Sequence, residues 1–285
     1  MSLLAPVGRR LRVQHSTRYT YEPKVPSSYN EARLIPRTEP RQQVLEARID
    51  IDPLTWRYDY VDYWGTAVTA FETHVPHGEL TVVGRTVADV AEAGDCPQID
   101  WDRLNSERTV DAFAETLVAT RRSAPPEEVV ERAREVVGAL APHDAARAVC
   151  GVVNDAMEYA PGSTGVQTVA AEAWQARRGV CQDFAHLALG ALRAVGIPAR
   201  YVSGYAVPRG GAELGEPVVG ESHSWVEWWT GGWFGWDPTS GGAAGSRHLV
   251  VGRGRDYGDV APLKGIVAGT GSSSLEVSVV VTILR

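Results

Sequence analysis

The chain has 285 residues, a net charge of −7, 44% hydrophobic and 22% charged residues, the make-up of a globular protein able to build its own core. This acidic balance, with no basic stripe, excludes a nucleic-acid footprint, and no run approaches the ~20 apolar residues of a membrane-spanning helix. Met1 to Leu11 lacks the apolar stretch of a secretory leader, and three cysteines, Cys96, Cys150 and Cys181, are too few for a disulfide framework, so a cytoplasmic protein is expected. Parity alone would allow a Cys96–Cys150 bridge; reduced structural thiols are the expectation.

From Leu11 to about Val90 the pattern is that of strands. Tyr19 and Tyr21 alternate with polar neighbours, and 44–52, 56–63, 66–75 and 80–87 continue the alternation. Turn signals at Pro53, Gly65, 76–78 and Gly84 separate them. Strands at this spacing predict a small β-sandwich over residues 1–95. Ala91 to Pro97 marks a boundary, and residues 96–285 are expected to form a second, α+β region. Val110, Phe113, Leu117 and Val118 lie at helical spacing within 109–121. Pro125-Pro126-Glu127-Glu128 opens a further helix with proline and acids in its first turn. An amphipathic segment over 144–159 and a short helix near 170–176 follow.

Residues 179–187 read Gly-Val-Cys-Gln-Asp-Phe-Ala-His-Leu, and Phe184, Leu187, Ala188, Ala191, Leu192 and Val195 continue with helical periodicity. Cys181 therefore stands in the first turn of a buried helix, where unpaired backbone N–H groups and the positive end of the helix dipole favour thiolate. Downstream, 199–207 predicts a strand, 208–220 a Gly/Pro-rich loop, and 222–229 a second strand. Gly231-Gly232 makes a tight hairpin into 233–237, closed by Pro238. The rest is expected to be a loop from Ser240 to about Ser273, then a final strand over 275–284.

Alternation puts His223, Trp225 and Glu227 on one strand face, and the hairpin returns Asp237 near the level of His223. A carboxylate there can accept Nδ1–H of the imidazole and leave Nε2 for the thiol, the orienting arrangement of a Cys-His-Asp triad. Each residue alone has a bland reading: a cysteine as a small hydrophobe, a strand histidine as a core group, an Asp-Pro as a turn. Their order on one helix and one hairpin favours chemistry. Asp183 is expected to cap the helix, His186 to be a core histidine, and Gln175 a surface residue rather than an oxyanion donor. Trp225 and Trp236 are expected as core packing or as an apolar wall of the cleft. No second Cys/His pair supports a metal site at Cys181, His223 and Asp237, and no glycine-rich phosphate loop occurs; no cofactor is expected.

These motifs carry a resemblance. Gly179 to Leu187, Gly196-Ile197-Pro198-Ala199-Arg200-Tyr201-Val202-Ser203-Gly204-Tyr205, His223-Ser224-Trp225-Val226-Glu227 and Trp236-Asp237-Pro238-Thr239 resemble the transglutaminase-like core of bacterial proteins described as cysteine proteases. Tyr159 to Thr164 and Gly254 to Pro262 extend it, and 15–21 with 62–65 resemble the N-terminal β region of these proteins. The resemblance implies a papain-like α+β core, with Cys181 as nucleophile, His223 as general base and acid, and Asp237 as orienter. Val180 and Gln182 flank the cysteine where the cross-linking animal enzymes have glutamine and tryptophan, and no calcium site is evident. The expected activity is acyl transfer on amide bonds of a peptide or protein substrate through a thioester, ending in hydrolysis, with the Cys181 N–H as first oxyanion donor. Amine acceptance, as in a transglutaminase, is the alternative outcome, and a non-catalytic protein-binding module the alternative class.

Overall fold

A computed structural model describes residues 8–96, 98–208, 213–220 and 222–285. The first seven residues, Pro97 of the expected boundary, and 209–212 of the expected 208–220 loop lie outside them. The chain begins with six strands, β1 (Arg9–Val25), β2 (Ser27–Ala32), β3 (Gln42–Asp52), β4 (Trp56–Val61), β5 (Ala67–Thr73) and β6 (His77–Val90). Helices α1 (Trp101–Leu104), α2 (Glu107–Ala112), α3 (Ala114–Leu117), α4 (Glu127–Val137) and α5 (Pro142–Ala156) follow. Strand β7 (Glu158–Tyr159), helix α6 (Ala170–Ala176) and strand β8 (Arg178–Gly179) lead into α7 (Cys181–Ala194). After it come β9 (Ala199–Ala206), β10 (Pro217–Gly220), β11 (Ser222–Trp229), β12 (Trp233–Asp237), β13 (Gly242–Ala243) and β14 (His248–Gly254). A short α8 (Tyr257–Val260) and strands β15 (Leu263–Ala268) and β16 (Ser272–Ile283) complete the chain.

The architecture is α+β with antiparallel sheets, and the strands run in the orders β10-β16-β1-β6-β3, β15-β2-β5-β4 and β13-β12-β11-β9-β14. The first two sheets share a core of Tyr21, Leu34, Ile49, Phe71, Leu80 and Val82. Sheet membership crosses residue 95: β15 pairs with β2, and β16 pairs with β1 from Leu11↔Ile283 to Glu22↔Ser272. A second apolar cluster joins this region to the third sheet, with Leu11, Val13 and Val281 packed among Tyr205, Leu249 and Val251. The third cluster surrounds α7, where every residue from Cys181 to Arg193 is buried. Buried on every side, α7 is a central helix rather than a surface one. Burying Phe184, Leu187, Leu189 and Leu192 contributes roughly 1.5–3 kcal/mol each. Among the described residues, no helix is long and apolar enough to cross a membrane.

Several expectations need correction. The segment 240–273, expected as a loop, contains β13, β14, α8 and β15. Its glycines hide the alternation, and a β-bulge between Val250 and Gly252 shifts the register of β14 on β9. The helix expected over 109–121 is broken at Phe113, which leaves helical geometry with φ −118° and ψ 19°. Its ring packs on Trp229 and Trp233 at centroid distances of 4.5 and 5.6 Å. The 144–159 segment stops at Ala156, because Glu158 and Tyr159 pair as a strand with Arg178 and Gly179. Strands β2 and β10 carry too little alternation to stand out in the sequence.

Candidate active site

Cys181 is the first residue of α7. The helix start is tied by Asp183, whose Oδ2 accepts the backbone N–H of Val180 at 2.8 Å and the Thr164 hydroxyl at 2.5 Å. Gly179 is required by this cap: a Cβ there would fall 2.7 Å from Asp183 Oδ2. Burial raises the Asp183 carboxyl above its usual range, and its Oδ1 has no hydrogen-bond partner. Asp183 therefore builds the turn on which the thiol stands.

His223 reaches the thiol from β11, the strand packed across α7. Its Nε2–H donates to Asp237 Oδ2 at 3.0 Å, which leaves Nδ1 for the thiol of Cys181, whose Sγ lies 4.0 Å from the carbonyl oxygen of the neighbouring Ser222. This reverses the expected ring orientation. Nδ1 lies close to the backbone and suits the adjacent helix start; the more distal Nε2 suits a partner further off. The hairpin explains that distance. Trp229 pairs with Trp233, so its loop has three residues, and Asp237 lies one step beyond the Val226–Trp236 pair. Across from His223 on the other side stands Gly204 of β9.

Asp237 is buried and accepts further hydrogen bonds, from the Ser240 hydroxyl to Oδ2 at 2.6 Å and from the N–H groups of Thr239 and Ser240 to Oδ1 at 3.0 and 3.3 Å. Burial alone would raise its carboxyl, but His223, His248 and the Ser240 hydroxyl hold it well below the carboxylate range. For His223, burial works against the cation, while Asp237 and Cys181 together push its pKa up to about 10. Burial would likewise raise Cys181, which is 9% exposed; the hydrogen bond and charge of His223 overcome it and pull the thiol down. The arrangement favours a thiolate–imidazolium pair backed by a carboxylate. The Ser224 hydroxyl lies near Cys181 and Tyr201, buried and without a well-formed hydrogen bond of its own.

A cavity of ≈900 Å³ opens beside the pair, lined among others by Tyr159, Pro161, Gly220, His223, Asp237 and His248. Residues 130–238 match the transglutaminase-like superfamily, and residues 11–89 match the bacterial transglutaminase-like N-terminal region. An uncharacterised protein of Mycobacterium leprae is 44% identical over 274 residues, covering 96% of this chain and 98% of that one. The chain belongs to the transglutaminase-like superfamily. An uncharacterised protein of Mycobacterium tuberculosis is 34% identical over 309 residues, covering 98% of this chain and 95% of that one. The solved structure of a proposed cysteine protease from Cytophaga hutchinsonii matches with a TM-score of 0.76 over 99% of this chain and 93% of that one, at 22% identity. That likeness is one of fold. The family is one of cysteine-dependent enzymes.

Other residues of this transglutaminase-like chain fall as follows. His186 is buried in the core, its Nε2 accepting the N–H of Tyr257 at 3.2 Å, and burial lowers its pKa to about 4. Gln175 lies on the exposed side of α6. Trp225 is fully buried; its ring lies 6.2 Å from His223, nearly parallel, and meets His248 edge-on at 5.2 Å. Gly204 makes room for it, since a Cβ there would lie 2.8 Å from the Trp225 ring. Trp236 instead packs against Trp228 at 5.9 Å, on the core side. Cys96 contacts the Thr230 hydroxyl and the Gly232 carbonyl, whereas Cys150 is buried in the helical core, so no bridge joins them.

Sequence reasoning missed His248, whose Nε2 lies 3.6 Å from Asp237 Oδ2. It sits in a stretch read as loop, and only a strand reading of His248-Leu249-Val250-Val251 could have drawn attention to it. Sequence reasoning also missed a buried charge ladder on the same sheet. Glu227 accepts from Arg200 Nε at 2.7 Å and from Arg253 Nε at 2.8 Å, and Arg253 Nη1 reaches Glu39 at 2.6 Å. Because Glu39 precedes β3, the ladder fastens the N-terminal strands to the sheet that carries His223.

Proposed function

We propose that the chain is a cysteine-dependent acyl-transfer enzyme that cleaves amide bonds of peptides or proteins through a thioester on Cys181 and passes the acyl group to water. The observation that carries this reading is the line from the Cys181 thiol through His223 to Asp237 Oδ2, 3.0 Å from His223 Nε2, with the thiol depressed and the imidazole raised. The thiolate adds to the amide carbonyl carbon, and the carbonyl electron pair moves to oxygen. The N–H of Cys181, which as the first helical residue has no partner within the helix, is the nearest oxyanion donor. The His223 imidazolium gives its proton to the leaving nitrogen, the C–N bond breaks, and a thioester remains. Neutral His223 then takes a proton from water as the hydroxyl adds; the C–S bond breaks and the thiolate returns. Asp237 keeps the ring in its working tautomer throughout.

The test is acid-quenched intact-mass analysis of the wild type and Cys181→Ala against peptide pools, with and without added primary amine. An acyl adduct on the wild type alone, with free carboxylate products, is expected. Amine-capped products at the expense of acid would turn the reading to amine transfer, and no adduct with any pool would refute acyl transfer.

A further inference from the structure

The Asp237 carboxylate is approached by two imidazoles. His223 donates from one side; from the other, His248 at the start of β14 brings its Nε2 to 3.6 Å of the same oxygen. The Nδ1 of His248 accepts the backbone N–H of Gly245 at 3.3 Å. Its ring meets Trp225 edge-on and lies 6.2 Å from that of His223. The accepted N–H decides the tautomer: Nδ1 offers its lone pair, so Nε2 carries the proton and points it at the carboxylate.

The tautomer also decides between two uses of this cluster. The ligand atoms of His223, Asp237 and His248 all lie within 4.8 Å of one another, close enough for a metal ion. A metal would need lone pairs at both Nε2 atoms, and His248 has turned its lone pair toward Gly245. An N–H turned toward the carboxylate fits the contacts that exist.

We infer that His248 is a positioning residue: its Nε2–H faces the Asp237 carboxylate across 3.6 Å, longer than a hydrogen bond, and holds it on His223 by electrostatic attraction, an inference that rests on the acyl-transfer reading above. Its ring shares the cavity wall with Asp237, and its loss widens the opening onto Oδ2. Water there screens the Asp237–His223 pair, and the thiolate loses support. The titratable and charged groups around His248 are Asp237 of β12, His223 of β11 with Cys181 behind it, and Arg9, Glu92, Arg247 and Tyr159 around the cavity. Arg9 and Glu92 meet through the Ser246 hydroxyl, and Arg247 donates to the carbonyls of Val207 and Pro208.

The test is the pH dependence of Cys181 alkylation by iodoacetamide in the full chain, for wild type, His248→Leu and His248→Gln. Leucine fills the space without a donor; glutamine restores an N–H. Near about pH 6, His248→Leu should react roughly tenfold more slowly, with its acid limb moved up by about one unit, equivalent to about 1.4 kcal/mol. His248→Gln should stay within about threefold of wild type, because a neutral donor is again in place. Packing alone would lower the melting temperature and leave the limb where it was. A wild-type limb in His248→Leu, or an equal loss in His248→Gln, overturns the inference. If wild-type Cys181 reacts no faster than Cys150, the acyl-transfer reading fails first and takes the inference with it.

Discussion

Replacing Asp237 with asparagine tests how far the carboxylate supports the reactive thiol. Asparagine keeps the side-chain shape, and its amide oxygen can still accept the N–H groups of Thr239 and Ser240. Its NH2 group then faces the His223 Nε2–H and the Ser240 hydroxyl, now 3.0 and 2.6 Å from the carboxylate oxygen. Two donors meet, the ring loses its tautomer preference, and the imidazolium loses its counter-charge. Unit charges about 4 Å apart at an effective dielectric of about 20 interact by roughly 4 kcal/mol. The broken hydrogen bonds and partial solvent access reduce what can be read directly from that figure, so a net loss of about 2–3 kcal/mol is expected, or roughly two pKa units. The sign follows from the charges. Without Asp237 the His223 pKa falls from about 10, the imidazolium no longer holds the thiol down, and the Cys181 pKa rises. Iodoacetamide alkylation, followed by intact mass, should therefore slow about a hundredfold near about pH 6. Wild type and variant should converge in strong alkali, where any accessible thiol is ionised. An Asp237→Asn variant alkylated at the wild-type rate near about pH 6, with the fold intact by circular dichroism, would refute the reasoning.

Two further outcomes follow from the supports around the site. Glu227→Ala removes the anion between Arg200 and Arg253, leaving two buried guanidinium groups with Glu39 as the remaining acid in the ladder. The expected loss is about 3–5 kcal/mol, seen as a melting temperature lower by on the order of 10 °C; an unchanged melting curve would show the ladder to be dispensable. Gly179→Ala pushes a methyl into Asp183 and displaces the cap from the Val180 N–H. A lost cap costs about 1 kcal/mol, but it shifts the turn that carries the nucleophile. Cys181 alkylation should drop several-fold while the melting temperature moves by only about 2–4 °C, and equal reactivity of variant and wild type would contradict this.

Much of the site could be read in the sequence because its signals are local. A glycine, a thiol and an acid two residues on, ahead of a largely apolar run, specify a capped and buried helix start, and α7 begins at Cys181. Gly231 and Gly232 between two aromatic runs specify a hairpin, whose alternation keeps His223 and Asp237 on a common face. The loop of three residues rather than a tight turn was not legible, since it depends on where the register settles: Trp229 against Trp233. The ring orientation of His223 was not legible either. It depends on which partner lies near the backbone and which lies farther off.

What the sequence determined by itself is the set of elements and faces: a period of two in the N-terminal strands and β11, a largely apolar helix after Gly179, and the order cysteine, histidine, aspartate. Pairing over long separations was decided only in three dimensions. Alternation says which side chains face inward but nothing about which edge a strand will join. The end of the chain returns to the beginning, with Leu263 against Ala32 and Ile283 against Leu11, and no residue near either end announces it. His248 belongs to the same category. It lies eleven positions beyond Asp237 in the chain and comes to 3.6 Å of its carboxylate because β14 pairs with β9, placing a second imidazole where local spacing had shown only a glycine-rich loop.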